Sequence, residues 1–209
     1  ARPLERLADK SLVQKLPNST SFVLHSLHRW MIEAELGEAG VQERHRSFLR
    51  FCGLIDGTDR ISIDLEDRFR ALPGGETLIV PGEEISAEHQ QPVGRYLVRH
   101  LMHHLRQLGR GEVYEENLQR TAANFSFLQA RLAIPSSSGA AMAGNVEALV
   151  GAFDGIRKAP GVQLRRTLQM AGPHLAVDRR RLAAQICARV SPDLHPLQFK
   201  LCADARRSA

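Results

Sequence analysis

The chain is poor in aromatic residues and in cysteines. The first scarcity restricts the composition of its core, and the second restricts the kinds of cross-link it can contain. Aromatic side chains make up only 5% of the 209 residues, so the core must be built mainly from aliphatic side chains. The three cysteines, an odd number without metal-site spacing, are Cys52, Cys187 and Cys202. Such sparse thiols are typical of a reducing compartment and do not form a disulfide framework.

Long apolar runs are also missing, which removes two classes of protein. No run approaches the ~20 residues that cross a bilayer, and no basic segment precedes a short apolar one as in a secretory signal. Hydrophobic residues at 43% and charged residues at 24% are typical of a globular chain. The sequence therefore predicts a soluble cytoplasmic protein without a membrane partner.

The net charge of +5 raises the alternative of a nucleic-acid partner. Basic and acidic residues alternate along most of the chain, and the arginine runs, such as those at 179–181 and 206–207, are short. Binding to nucleic acid requires a clustered basic footprint. We therefore expect no nucleic-acid partner, with a DNA-binding regulator kept as an alternative.

Motifs of the common enzyme classes are absent. The chain has no phosphate-binding Gly-x-x-x-x-Gly-Lys-Ser/Thr loop, no Gly-x-Gly-x-x-Gly turn and no Gly-x-Ser-x-Gly elbow. Asp64, Glu66 and Asp67 form an acidic cluster without a nearby histidine, and acidic residues at a helix start usually serve the helix dipole. The sequence predicts no catalytic residues and no cofactor held by this segment.

Helical periodicity dominates after residue 26, and glycine, proline and capping residues divide it. The predicted helices run from Ser26 to a stop at Gly37 and Gly40, then over 41–54 to a stop at Gly53 and Gly57. Further helices are predicted at 93–108 after Pro92, 112–122, 125–132 capped by Asn124, 140–157, 162–171 before Gly172-Pro173, 179–190 capped by Asp178, and 194–205. Segment 56–91 is read as a hairpin or as a loop with one short helix, with short strands at 61–65 and 77–80. The fold class is mainly α, with an irregular array of antiparallel helices.

Three histidines, His100, His103 and His104, fall within five residues of one predicted helix. Imidazoles at this spacing can bind a metal, but the trio lacks the glutamate of His-Glu-x-x-His and has no cysteine pair nearby. His100 and His104 share an apolar stripe with Leu97 and Leu101. We therefore expect hydrogen-bonded imidazoles packed in the core and no metal site.

The first thirty residues carry the most specific pattern. Apolar runs at 11–16 and 22–24 flank a turn at 17–20, and a helix opens at Ser26. A hairpin followed by a helix is the closing half of a winged helix, which would need at least one more helix before Ala1. We therefore expect the chain to be a fragment of a longer protein.

These residues resemble a known family. Leu7-Ala-Asp-Lys-Ser-Leu-Val and Leu24-His-Ser-Leu resemble the winged-helix region of the signal-transducing NTPases with numerous domains (STAND NTPases). The closest likeness is to the apoptotic protease-activating factor type and its bacterial relatives with WD-repeat propellers. In that family a strand-end histidine contacts the β-phosphate of ADP, so the resemblance assigns His25 to nucleotide sensing. Ser26 stands where the family usually has Asp, and Ser can still cap the helix.

The resemblance continues through the helices. Arg95-Tyr-Leu-Val-Arg-His-Leu-Met-His-His-Leu and Asn124-Phe-Ser-Phe-Leu-Gln-Ala-Arg-Leu are similar to two helices of the family's arm. Gln169-Met-Ala-Gly-Pro-His-Leu and Leu182-Ala-Ala-Gln-Ile are similar to the pair before the propeller. It implies the end of a winged-helix domain at 1–36 and a helical arm at 37–209, with 56–91 unmatched.

The function that the resemblance implies is regulatory and non-catalytic. The segment would link an upstream nucleotide-binding domain, which holds ADP or ATP in the parent protein, to downstream sensor repeats such as a WD-repeat propeller. Nucleotide state would control arm movement and oligomerisation. A winged-helix DNA-binding regulator and a helical protein-interaction module remain the alternatives.

Overall fold

The computed structural model describes most of the chain and shows a mainly α-helical protein with β-hairpins, which confirms the predicted fold class. The described residues are 13–15, 22–24, 26–61, 63–72, 77–83, 85–109, 111–133, 146–147, 149–151, 153–154 and 156–208. No helix among them combines the length and the apolar character that crossing a membrane requires.

The helices and strands are named in chain order. The strands are β1 (Val13–Lys15), β2 (Phe22–Leu24), β3 (Phe69–Ala71) and β4 (Thr77–Ile79). The α-helices are α1 (Ser26–Phe51), α2 (Ala87–Arg106), α3 (Glu112–Ala122), α4 (Phe125–Ala133), α5 (Ala159–Val177), α6 (Leu182–Arg189) and α7 (Pro196–Arg207). Short 3-10 helices occupy Ile63–Arg68, Arg179–Arg181 and Pro192–Leu194, and residues 146–147 and 149–151 are helical.

The chain divides into two compact units, residues 1–44 and 45–209. In the first, β1 and β2 pair antiparallel with Gln14 opposite Val23, and α1 begins at Ser26, so the predicted hairpin and helix start are confirmed. The predicted stop at Gly37 and Gly40 is only partly correct. Gly37 alone leaves the helical conformation, with φ 63° and ψ 176°, and the helix resumes after this kink.

The end of α1 follows from one glycine. Gly53 has a φ of 65°, a conformation that glycine adopts without steric cost. Its N–H bonds the carbonyl of Arg50 at 2.8 Å, and the N–H of Leu54 bonds that of Leu49 at 2.9 Å. This pair of bonds is the Schellman motif, which satisfies carbonyls left open at a helix end. Gly53 therefore ends the helix as predicted, although α1 stops at Phe51 and not at residue 54.

The poorly patterned segment 56–91 contains both a hairpin and a short helix. Strand β4 confirms the prediction at 77–80, and it pairs antiparallel with β3, with Arg70 opposite Leu78. The predicted strand at 61–65 is wrong, because a 3-10 helix begins at Ile63. Ile61 and Leu65 are nevertheless both buried, and Ile61 forms an isolated antiparallel bridge with Ile55.

Helix α2 begins before the predicted proline start. It runs from Ala87 and contains Pro92. The Ser86 carbonyl accepts from the N–H groups of His89 and Gln90 at 2.9 and 3.2 Å, so the first turn forms without Pro92. Pro92 has no N–H to donate to the carbonyl four residues earlier, yet the helix continues on both sides of it.

Helix α5 also continues past its predicted stop. It runs through Pro173 to Val177, because Leu164, Leu168, Ala171 and Leu175 are all buried at helical spacing on either side of the proline. Tertiary burial of this face outweighs the hydrogen bond that Pro173 lacks. Beyond the helix, the Asp178 carboxylate accepts from the N–H of Arg180 at 2.9 Å, which confirms the predicted cap.

The core lies in the second unit and is mainly aliphatic, as the composition predicts, with Phe125, Phe127 and Phe153 as its largest side chains. Helix α3 has its predicted bounds. Asn124 caps α4 as predicted, because its Oδ1 accepts from the N–H of Phe127 at 2.8 Å. Gly94 brings α2 against β4 so closely that a Cβ there would lie 2.4 Å from the Ile79 carbonyl oxygen.

Candidate functional site

The nucleotide-sensing prediction falls on a residue that the structure does not describe. His25 lies outside the described residues, between the end of β2 at Leu24 and the start of α1 at Ser26. Its role therefore stays a prediction.

A cluster of imidazole and aromatic rings, hereafter the histidine cluster, is the most distinctive polar feature of the second unit. It consists of His45 and Phe48 from the last turns of α1, and of Tyr96, His100, His103 and His104 from α2. Residues three, four and seven apart share a face of a helix. That spacing places the rings of each helix on one face, and the face of α1 that carries them contacts that of α2.

His104 is the centre of this cluster. Its Nδ1 lies 2.7 Å from Nδ1 of His45, and its Nε2 lies 2.9 Å from the hydroxyl of Tyr96. The ring of Phe48 lies 4.7 Å from that of His104. With both ring nitrogens engaged and 7% of its surface exposed, His104 is a core histidine, as the sequence predicts.

His100 does not follow that prediction. Its side chain is exposed, and its ring stacks on Tyr96 with 4.5 Å between centroids. A residue four positions before a buried one can still lie at the edge of the buried stripe, because a helix advances about 400° over four residues. The buried face of α2 therefore includes His104, while His100 lies beside that face and is exposed.

The environment of His104 disfavours its charged form. Burial, followed by the positive charges that His45, His103 and His100 carry when protonated, lowers the pKa of His104 from 6.5 to about 4. A neutral imidazole has one donor and one acceptor nitrogen. At neutral pH one proton therefore lies between His45 and His104, and the hydroxyl of Tyr96 completes the second bond.

The neighbouring groups are held neutral as well. Burial raises the pKa of the Cys52 thiol to about 11, and burial with the nearby Cys52 raises the pKa of Tyr96. Burial, then the charges of Arg131, His103 and Arg99, lowers the pKa of His100. The cluster thus provides hydrogen bonds and stacked rings, with neither a thiolate nor a phenolate nucleophile.

Metal binding finds no support among the described residues, where no three histidine, cysteine or acidic side chains are placed to hold an ion. The facing nitrogens of His45 and His104 already bond each other. Of the acidic residues near position 66, Glu66 pairs with Lys200 at 3.0 Å and Asp67 is exposed.

One buried polar residue, Asn117, was not predicted from the sequence. Asn117 on α3 is fully buried. Its Oδ1 accepts from the N–H of Ile61 at 2.8 Å, and its Nδ2 donates to the carbonyl of Asp59 at 2.7 Å. The sequence around it gave no local signal, because Asn117 follows Glu116 and its partners lie 56 and 58 residues away.

Comparison with known proteins adds no relative: no family model matches the chain, and no curated protein or solved structure matches it.

Proposed function

We propose that the chain is a non-catalytic regulatory and scaffolding segment of a STAND signalling NTPase of the cytoplasm. The observation that carries this proposal is the β1–β2 hairpin followed, after a single residue, by helix α1. That junction residue is His25, where the family resemblance expects the nucleotide-sensing histidine. The helices that follow in the second unit agree with the arm that the resemblance implies.

The proposed mechanism is a two-state latch. An upstream domain holds ADP, and His25 contacts its β-phosphate in the resting state. Exchange for ATP removes that contact, the helical arm moves as a unit, and surfaces for oligomerisation become accessible. The downstream partner is a set of sensor repeats, for which a WD-repeat propeller is the expected form.

The gene upstream of this segment gives the first test. We expect its reading frame to continue upstream and to encode a phosphate loop within a few hundred residues. A reading frame that starts at Ala1 would contradict the proposal.

The biochemical test uses the full-length protein. His25→Ala is expected to speed the release of a fluorescent ADP analogue and to raise basal oligomerisation, because the resting state loses its phosphate contact. His174→Ala is the matched control, since His174 is an exposed histidine on α5. Unchanged ADP release in His25→Ala, or an equal change in both variants, would remove His25 from the mechanism.

A further inference from the structure

We propose that His45 and His104 form a proton-controlled clamp, which holds the last turns of α1 on α2 while one proton lies between their facing nitrogens and opens when both nitrogens are protonated. The clamp stands on contacts within the second unit and is independent of the nucleotide latch proposed above. It makes the packing of α1 on α2 sensitive to acidification.

The geometry allows the pair one shared proton and no second one. The two Nδ1 atoms are 2.7 Å apart, the distance of a hydrogen bond with one hydrogen between its heavy atoms. Two N–H groups of about 1 Å each, pointing at one another across that gap, would leave roughly 0.7 Å between their hydrogens. Full protonation of both rings therefore requires the rings to separate.

The surroundings do not compensate a second charge. The charged groups that act on His104 are three further imidazoles, His45 on α1 with His100 and His103 on α2, each positive when protonated. Tyr96 on α2 and Cys52 after α1 are kept neutral, and Arg99 on α2 and Arg131 on α4 add positive charge near His100. Among the described residues, no carboxylate is one of the groups acting on His104, so its protonation adds like charge to like.

Ring separation would loosen a defined stretch of backbone. Phe48 packs its ring on His104 and meets Tyr96 edge-on at 5.9 Å, while the adjacent Leu49 is fully buried. A charged His104 would lie between these contacts and draw water towards them. The turns 45–51 are therefore the part of α1 expected to open first.

The burial that keeps His104 neutral sets the pH range. Its pKa of about 4, against an ordinary 6.5, means that the open form binds the proton more tightly than the closed form. Opening is therefore favoured increasingly as the pH falls from 6.5 towards 4. For one such proton the opening equilibrium changes by up to about tenfold per pH unit.

Amide hydrogen exchange of the whole chain between pH 7 and pH 4 tests the clamp. After correction for intrinsic exchange, protection of amides 48–51 is expected to fall by up to about tenfold per pH unit below pH 6. The amides of α3, which pack around Asn117, provide the internal reference and are expected to keep their protection. In parallel, the ring resonances of His45 and His104 are expected to respond together, because interacting groups titrate as a pair.

Two variants separate the clamp from general acid unfolding. His104→Asn places a non-titrating amide near the position of Nδ1, and His45→Gln removes the facing imidazole from a less buried site that tolerates substitution more easily. His104→Asn is expected to remove the pH dependence of protection at 48–51. His45→Gln is expected to reduce it, because the facing imidazole is lost while His104 stays buried. The control His174→Gln changes an exposed histidine on α5 and is expected to keep the wild-type profile.

Three results would overturn the clamp. The first is an unchanged pH dependence at 48–51 in His45→Gln, which still decides the matter if His104→Asn does not fold. The second is a single independent titration of His104 near 6.5. The third is tight stoichiometric Zn²⁺ binding at pH 7 that His45→Gln abolishes, because it would assign the facing nitrogens to a metal.

Discussion

Two buried polar residues of the second unit hold neighbouring segments in place by different chemistry. Asn117 binds the loop before the first 3-10 helix through the backbone of Asp59 and Ile61. His104 binds the end of α1 through His45. Both residues have their hydrogen-bonding groups engaged, as burial requires, but only the imidazole changes its charge between pH 4 and pH 7. Two buried residues therefore provide one contact that is independent of pH and one that depends on it.

The largest loss of stability is expected from removing the pH-independent contact of Asn117 with the backbone of Asp59 and Ile61. Asn117→Leu keeps the number and branching of the side-chain heavy atoms but leaves the N–H of Ile61 and the carbonyl of Asp59 without their hydrogen-bonding partner. Each unsatisfied group costs about 1–3 kcal/mol, so we expect the free energy of unfolding to fall by about 2–4 kcal/mol. Urea denaturation at pH 7 and at pH 5 measures it, and the loss should be the same at both.

Gln129→Leu is the matched control for that substitution, because Gln129 is an exposed amide on α4. Exposed substitutions away from special features usually change stability by no more than about 0.5 kcal/mol. A loss of that small size in Asn117→Leu, or a loss that grows at pH 5, would show that Asn117 does not anchor the loop as the contacts indicate.

Sequence reasoning succeeded where the signal is local. The bounds of α3, the Asn124 cap and the Gly53 stop each depend on residues within one or two turns, and the structure confirms all three. It failed where tertiary burial decides. Pro92 and Pro173 both look like helix boundaries in sequence, yet both lie inside helices.

In the histidine cluster too, local features could be predicted from the sequence and tertiary contacts could not. Helical spacing predicted that His104 is packed in the core with a hydrogen-bonded ring. It could not predict that His104 meets His45, because 59 residues separate them in sequence. The pairing is set by how α1 packs on α2. His100 shows the opposite limit, since only the packed structure reveals that its part of the stripe is exposed.

The second largest effect is the contribution of the His45–His104 contact to the free energy of unfolding of the chain. Because the pKa of His104 is about 4 in the folded chain and 6.5 is its ordinary value, the unfolded chain takes up the proton first as the pH falls. The stabilisation is therefore complete above pH 6.5 and is lost towards pH 4. We expect unfolding at pH 5 to require up to about 2 kcal/mol less than at pH 7 from this residue.

Denaturation of wild type and His104→Asn over pH 4.5–7.5 isolates that contribution. The variant loses ring contacts at every pH, so the informative quantity is the difference between the two proteins at each pH. That difference should shrink steadily below pH 6.5. A constant difference across the range would mean that His104 does not titrate with folding, and the contrast with Asn117 would then lose its basis.

The smallest change in stability is expected from substituting Asp59, which contacts both Asn117 and the end of α1. Asp59 presents its carbonyl to Asn117, and its carboxylate accepts from Arg46 and Arg50 of α1 at 2.6 and 2.7 Å. Its backbone has a φ of 62°, which asparagine tolerates as well as aspartate does. Asp59→Asn therefore removes charge without backbone strain, and partly exposed ion pairs contribute only about 0.5–1 kcal/mol.

Salt dependence distinguishes this contribution from the buried ones. Wild type should lose stability relative to Asp59→Asn as NaCl rises, because the screening length falls from about 10 Å at 0.1 M to about 3 Å at 1 M. Asp193→Asn, at an exposed aspartate before α7, is the control and should show no such convergence. If Asp59→Asn also flattens the acid sensitivity of amides 48–51, the arginine contacts and the histidine pair hold α1 as one unit. If the acid sensitivity is unchanged, His45 and His104 hold that end of the helix independently of its ion pairs.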